Sequence, residues 1–223
     1  MNSIYQRALG SDFARLHPQI QRRFGLRSDC GTASIGSGVM ETIWHGSSIS
    51  LPFLYAGTRR HIMFPESGVH IPFTVENYAY RDAHGRETVS WIRTFTLPNC
   101  QRRFDAYMIY STKRQRLVDY LGTHQHLAVD LALSVDPRGG LRIRSGRQRF
   151  YEHFLGFRFP SILTGVADVC EWYDDSADCF RISVDVTNPM CRLFGYRGHF
   201  RVQWIDAAGL PEHARPQRLE LRE

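Results

Sequence analysis

From Val69 onward, apolar residues fall on every second position, and the alternation restarts after each short polar turn. Val69, Ile71, Phe73 and Val75 alternate with His70, Pro72, Thr74 and Glu76. The run "TVSWIRTFTL" follows the turn signal "DAHG", "RFDAYMIYS" follows "LPNC", and "DPRGG" leads into "LRIRSGRQRFY". "ILTGVADVCEWY" and "CFRISVDV" are joined by "DDSAD", and "GYRGHFRVQWI" comes last. Period-two patterning between short turns predicts an antiparallel meander of eight or nine strands. Turns are expected near Asp82–Gly85, Pro98–Asn99, Pro137–Gly140 and Asp174–Ala177. Such a sheet has to remove its edges by closing or curling, and its inner face has to be filled by core, helix or ligand.

The chain before this sheet reads differently. Leu9, Phe13, Leu16, Ile20 and Phe24 form one apolar stripe at helical spacing. Ser11 is a candidate cap, Pro18 suits a first turn, and Gly25 ends the segment. The expected class is α+β: N-terminal helices packed on a curved, largely closed antiparallel sheet, a barrel or half-barrel. Residues 1–206 are expected to form a single domain, with a helical segment over 1–30 and the meander over 35–206. The "GSG" at Gly36–Gly38 reads as a bend in the first strand, and "SSISLPFLYAG" as a lid or short helix. The polar tail 207–223 is expected to fray.

Composition narrows the class. Of 223 residues, 43% are hydrophobic and 13% aromatic, enough for a buried core. No transmembrane segment is expected, because no window approaches 18 consecutive apolar residues. Early charges and the lack of an apolar h-region argue against a signal peptide, so the protein is expected to be cytoplasmic. Five scattered cysteines suit a reducing compartment, with Cys170 and Cys179 straddling a hairpin turn. The net charge of +6 comes almost wholly from arginine, Lys113 being the single lysine. Those arginines are spread along the chain and read as solvated strand faces, so specific nucleic-acid binding is not expected.

Phosphate-cradle glycine motifs, H-E-x-x-H and a G-x-S-x-G elbow are all missing, and no cofactor is expected. The candidate site therefore rests on isolated residues. Arg93 falls on the apolar face made by Val89, Trp91, Phe95 and Leu97, where a charge is costly unless paired or facing a polar cavity. It either pairs internally, with Glu76, Asp105 or Glu171 for example, or anchors a ligand carboxylate or phosphate. In "GTHQHLAVDLALSV", His124 and His126 share a face with Ala128, Asp130 and Ala132, opposite the leucines and valines. That face is either wet or the lining of a pocket. Two such imidazoles lack a third metal ligand, and no metal is expected. Glu171 in "CEWY" is either a candidate acid or base among aromatics or an ordinary outer-face carboxylate. Arg197, flanked by glycines, either reaches inward or pairs with a neighbouring strand.

The pieces "YQRALGSDFARLHPQIQRRF" and "VTNPMCRLFGYRGHF" carry a resemblance. Leu9-Gly10, Leu16, Pro18 and Phe24, with Pro189, Gly195, Tyr196, Arg197 and Gly198, resemble a bacterial domain-of-unknown-function family over about residues 3–205. Members of that family occur alone or fused behind saccharopine-dehydrogenase-like or membrane segments. The resemblance implies a fold and transfers no catalytic residue.

The function expected from the residues is binding of an apolar or amphipathic small molecule in a barrel pocket, with Arg93, His124, His126, Glu171 and Arg197 as candidate polar contacts. The alternative is a cofactor-free isomerase, cyclase or hydrolase using His or Glu acid–base chemistry in the same pocket. A nucleic-acid-binding role is the weaker third reading. The sequence sets no oligomeric state.

Overall fold

The computed structural model describes residues 2–46, 51–160, 164–189, 191–207 and 209–223. Its strands are β1 (Thr32–His45), β2 (Gly68–Arg81), β3 (Glu87–Leu97), β4 (Cys100–Ser111), β5 (Arg116–Leu121) and β6 (Leu127–Val135). They continue as β7 (Leu141–Glu152), β8 (Leu155–Arg158), β9 (Val166–Asp174), β10 (Cys179–Thr187) and β11 (Arg192–Asp206). Each strand from β1 to β7 pairs antiparallel with the next, β9 returns to β7, and β11 closes on β1. The result is a closed ten-stranded barrel, with β8 as an extra strand hydrogen-bonded to β7. The expected turns all join consecutive strands. Closure gives every barrel strand a partner on both sides, the solution that period-two patterning demanded.

One wall is thinner than the rest. β7 pairs with β9 only through Leu141–Arg144 against Asp168–Glu171, then turns its lower half to β8. Below that point the seam is bridged by side chains. The Ala167 amide donates to Ser145 Oγ at 2.7 Å, and Gln148 Nε2 donates to the Gly165 carbonyl at 2.5 Å.

The inward positions fill the lumen with rings. Phe73, Phe95, Phe180, Phe194, Tyr196 and Phe200 are all buried, and Phe180 stacks on Phe200 with centroids 5.5 Å apart. Gly36 and Gly38 make this possible: a Cβ at Gly36 would lie 2.7 Å from the Phe200 ring. The expected bend in the first strand is thus a place where side chains are withheld so that a neighbour's ring fits.

Helical segments close both ends. At one end lie α1 (Ile4–Leu9), a 3-10 segment (Gly10–Arg15) and α2 (Pro18–Phe24). They drive Ile4, Tyr5, Phe13, Leu16, Ile20 and Phe24 into the core. Ser3 forms a capping box with Gln6, and His17 caps α2 with Pro18 at its first position. Ser11, the cap expected from sequence, lies inside the 3-10 segment instead. At the opposite end α3 (Leu51–Thr58) leads into Phe64, whose ring meets Phe95 and Phe194 at 4.9 and 5.1 Å.

The tail does not fray. It crosses the outer face of the barrel over Tyr107, Val118, Tyr120 and Ala128, burying Ala214. The hydroxyl of Tyr107 donates to the Ala214 carbonyl at 3.1 Å, that of Tyr120 to Arg222 at 3.1 Å, and the Gln217 amide to Thr123 at 2.8 Å. Of the face read from sequence, Ala128 is therefore covered by the protein's own C-terminal segment, Asp130 is buried against Arg149 and Arg114, and Ala132 is exposed. Cys170 and Cys179 also lie apart, Cys170 opposite Ser183 and Cys179 opposite Asp174. All five cysteines are free. Among the described residues, no helix is long and apolar enough to cross a membrane.

Candidate functional site

Inside the barrel, the polar side chains form three levels. Nearest α2, Arg23 pairs with Glu171 of β9, both almost wholly buried. The same guanidinium donates to Ser34 Oγ at 3.3 Å and lies 4.9 Å from the Phe200 centroid. Burial pushes the Glu171 carboxyl up while Arg23 pulls it back, and among the described residues its Oε2 has no hydrogen-bond partner. In the middle, Trp91 Nε1 donates to the Tyr5 hydroxyl at 2.9 Å, and that hydroxyl lies 3.2 Å from Met108 Sδ.

The third level holds Arg93. The alternation of β3 points it into the lumen between Trp91 and Phe95, as its sequence position implies. Its Nε donates to the Phe104 carbonyl at 3.1 Å and Nη1 to the Tyr196 hydroxyl at 3.3 Å. The guanidinium packs 3.7 Å from the Phe104 ring centroid, a cation–π contact strengthened by desolvation. None of the carboxylates anticipated as partners reaches it. Glu171 is held by Arg23, Asp105 by Arg103 and His61, and Glu76 by Tyr78 and His213.

The carboxyl that does feel Arg93 is Asp119 on β5. It shares the inward face with Leu117, and burial raises it from 3.8 to about 7 against the lowering influence of Arg93 and a backbone hydrogen bond from Tyr107. Its Oδ1 has no hydrogen-bond partner among the described residues. Sequence reasoning passed over Asp119, although "RLVDYL" already sets it on the face of Leu117 and Leu121. It passed over Arg23 as well, because a lone arginine on a short helix looks like a surface charge until the partner strand is in place.

The other candidates lie outside the lumen. His124 and His126 precede β6, in the loop that follows β5, and do not sit on a strand. Their rings nevertheless stack with centroids 5.5 Å apart. His126 Nδ1 lies 2.8 Å from Glu152 and 2.9 Å from the Tyr151 carbonyl, while its buried Nε2 has no partner among the described residues. Burial lowers the pKa of both rings, helped by the Arg60 charge. Among the described residues, no group of three or more His, Cys, Asp or Glu side chains is placed to hold a metal. Arg197 does not reach inward either: it is exposed, 5.1 Å from the Trp44 ring on the outer face. Of the five candidates, Arg93 and Glu171 share the interior, and the two histidines form a separate cluster at the α3 end.

Two surface hollows lie elsewhere. One of about 880 Å³ runs between the tail and β2, lined by Tyr78, Tyr80, Leu210 and Pro216 among others. One of about 550 Å³ lies beside α1, lined by Arg7, Arg86 and Tyr110 among others.

A family model described as "Domain of unknown function (DUF4166)" matches residues 16–200. The chain belongs to the DUF4166 family. It is 34% identical over 202 residues to a Bacillus subtilis (strain 168) protein called "Uncharacterized protein YndH", covering 90% of this chain and 97% of that one. No solved structure matches it. The DUF4166 match takes in α2 and most of the barrel, and with them Arg23, Arg93, Asp119, Glu171 and Tyr196. Tyr5 and the covering tail fall outside the matched DUF4166 span.

Proposed function

We propose that this barrel binds an amphipathic anion, its carboxylate or phosphate head held by Arg93 and Tyr196 and its apolar body among the lumen rings. The observation that carries the reading is Arg93 itself. A guanidinium buried in an aromatic barrel is costly, and here its donors go to one carbonyl and one hydroxyl, with no carboxylate in contact among the described residues. An incoming anion would supply the missing counter-charge through the bidentate geometry that arginine favours. Protonated Asp119 would leave that anion unopposed by a second negative charge. Because rings fill the lumen, entry requires displacement, and the β7–β9 seam is the part of the wall with the least backbone pairing to break. His124, His126 and Arg197 take no part in this head-group site. The reading places the protein in the cytoplasm, a compartment suited to its five unpaired cysteines.

Asp119 favours one second reading. A carboxyl titrating near neutrality beside an arginine is the arrangement of a general acid or base with an electrostatic partner, which would make the barrel a cofactor-free enzyme.

Native mass spectrometry of the purified protein, followed by calorimetric titration with dodecanoate, tests the binding reading. The expected result is a bound or titratable acid whose affinity falls at least about tenfold in Arg93→Met, the loss of a charge-assisted hydrogen-bond pair. Equal affinity in wild type and variant, or no binding by wild type, overturns it.

A further inference from the structure

The end of the barrel that carries α3 is apolar where water should be. β7 and β8 form a hairpin whose tip places Phe154 91% exposed, followed by exposed Leu155 and Phe157. On α3, Phe53 and Tyr55 are more than half exposed, and Val69 at the start of β2 is exposed as well. The hairpin and the chain leaving α3 are neighbours, since Arg60 Nη1 lies 3.7 Å from Glu152 Oε2 at the base of the hairpin. Solitary exposed apolar residues are ordinary, but several bulky ones gathered at one end mark an interaction surface.

The charges around this surface choose its partner. Acids described at this end are occupied: Glu152 by Arg60 and His126, Glu66 by Arg102 and Asp185 by Arg192. That leaves exposed Arg59, one residue past α3, and exposed Arg158, at the end of β8. Neither is paired with a carboxylate among the described residues. Protruding aromatic and aliphatic side chains flanked by uncompensated arginines fit an interface that is apolar a few ångströms down and anionic at its surface. The rest of the wall is made for water: Arg142 pairs with Asp168, and Arg181 with Asp174 and Glu41, on its outer face. Charges of this kind on the outer wall do not suit a barrel that spans a membrane.

We propose that the α3 end, led by Phe154 and Leu155 and flanked by Arg59 and Arg158, docks on an anionic lipid bilayer. This rests on surface residues and stands whether or not the lumen binds a ligand. Co-sedimentation of the full chain with phosphatidylcholine vesicles, and with vesicles of phosphatidylcholine mixed with phosphatidylglycerol, tests it. Wild type is expected to partition onto the anionic vesicles, more weakly as salt rises. Phe154→Ser combined with Leu155→Ser should lower the partition coefficient at least about tenfold, by loss of buried apolar area. Arg59→Glu and Arg158→Glu should each lower it at least about fivefold. Because all four side chains are exposed, unchanged circular dichroism of the variants is expected and is checked first. Wild type that stays in the supernatant with anionic vesicles overturns the proposal, as does a Phe154/Leu155 variant that partitions like wild type. A wild-type dimer that this variant converts to monomer, with no vesicle binding, also overturns it and assigns the surface to a second copy of the chain.

Discussion

Arg23 on α2 and Glu171 on β9 form a buried ion pair that ties the N-terminal plug to the barrel wall. Removing one member of such a pair leaves the other charge stranded in a low-dielectric interior. Arg23→Met should cost about 3–5 kcal/mol, and adding Glu171→Leu should recover most of that loss. Denaturant midpoints at constant m-value for the two single variants and the double variant measure the coupling. A double variant no more stable than Arg23→Met would show that the plug is held by its apolar face alone.

Asp119 makes stability depend on pH in the unusual direction. Its carboxyl is pushed up to about 7 in the fold from an ordinary 3.8. Between those values the unfolded chain releases a proton that the native state keeps, so the native state loses ground as pH rises and the effect levels off above about 7. At about 1.4 kcal/mol per pH unit the full difference is about 4 kcal/mol, an upper bound for a single buried group. Asp119→Asn should abolish that slope and be more stable than wild type at pH 8. Urea midpoints at pH 5 and pH 8 decide it, and parallel pH profiles for the two proteins would refute the assignment.

Glu220 works in the opposite sense at the covering tail. Burial pushes it up, yet hydrogen bonds from Arg222 and Arg218 hold its carboxyl down at about 2. The native state is therefore favoured above the ordinary carboxylate range, and this contribution disappears as pH falls from about 4.5 toward 2. The tail should release in acid before the barrel opens, exposing the tyrosines beneath it. Tyrosine fluorescence followed from pH 5 to pH 2 should show an early step that is absent in Glu220→Gln at every pH. A single step in both proteins would count against a separable tail.

Arg93→Met distinguishes a site residue from scaffolding. At pH 6, below its raised value of about 7, Asp119 is mostly protonated, and among the described residues no carboxylate is in contact with Arg93, so its replacement strands no acid. The unfolding free energy from urea titration at pH 6 should then change by less than about 1 kcal/mol, well short of the several kcal/mol for a broken buried pair. A larger loss at pH 6 would make Arg93 part of the scaffold.

The meander and its turns were legible because period two and turn chemistry are local properties, and closure followed from the need to hide edges. The inward placement of Arg93 was equally local. What escaped was set by pieces far apart in sequence. The buried outer face of β4 and β5 was signalled only by Tyr107, Ile109, Val118 and Tyr120, apolar residues opposite another apolar face. Two-sided apolar strands mean two-sided burial, but nothing in the polar tail announces that it supplies the cover. The stacked histidines were misplaced for a related reason. Gln125 adopts a left-handed φ of 53°, which breaks the strand alternation that the letters suggest.

The short β7–β9 ladder has a consequence for how the native state fluctuates. In a cylinder, amide protons exchange through the opening that costs least, and cost follows the length of ladder to be separated. β1 and β11 are zipped along nearly their whole lengths, whereas β7 and β9 share only the stretch from Leu141 to Arg144. Amides flanking that ladder on β9 therefore form the first exchanging set, at a free energy below that of global unfolding. Those on β1 and β11 define the slowest, and the hoop comes apart as a sheet that unrolls from one line.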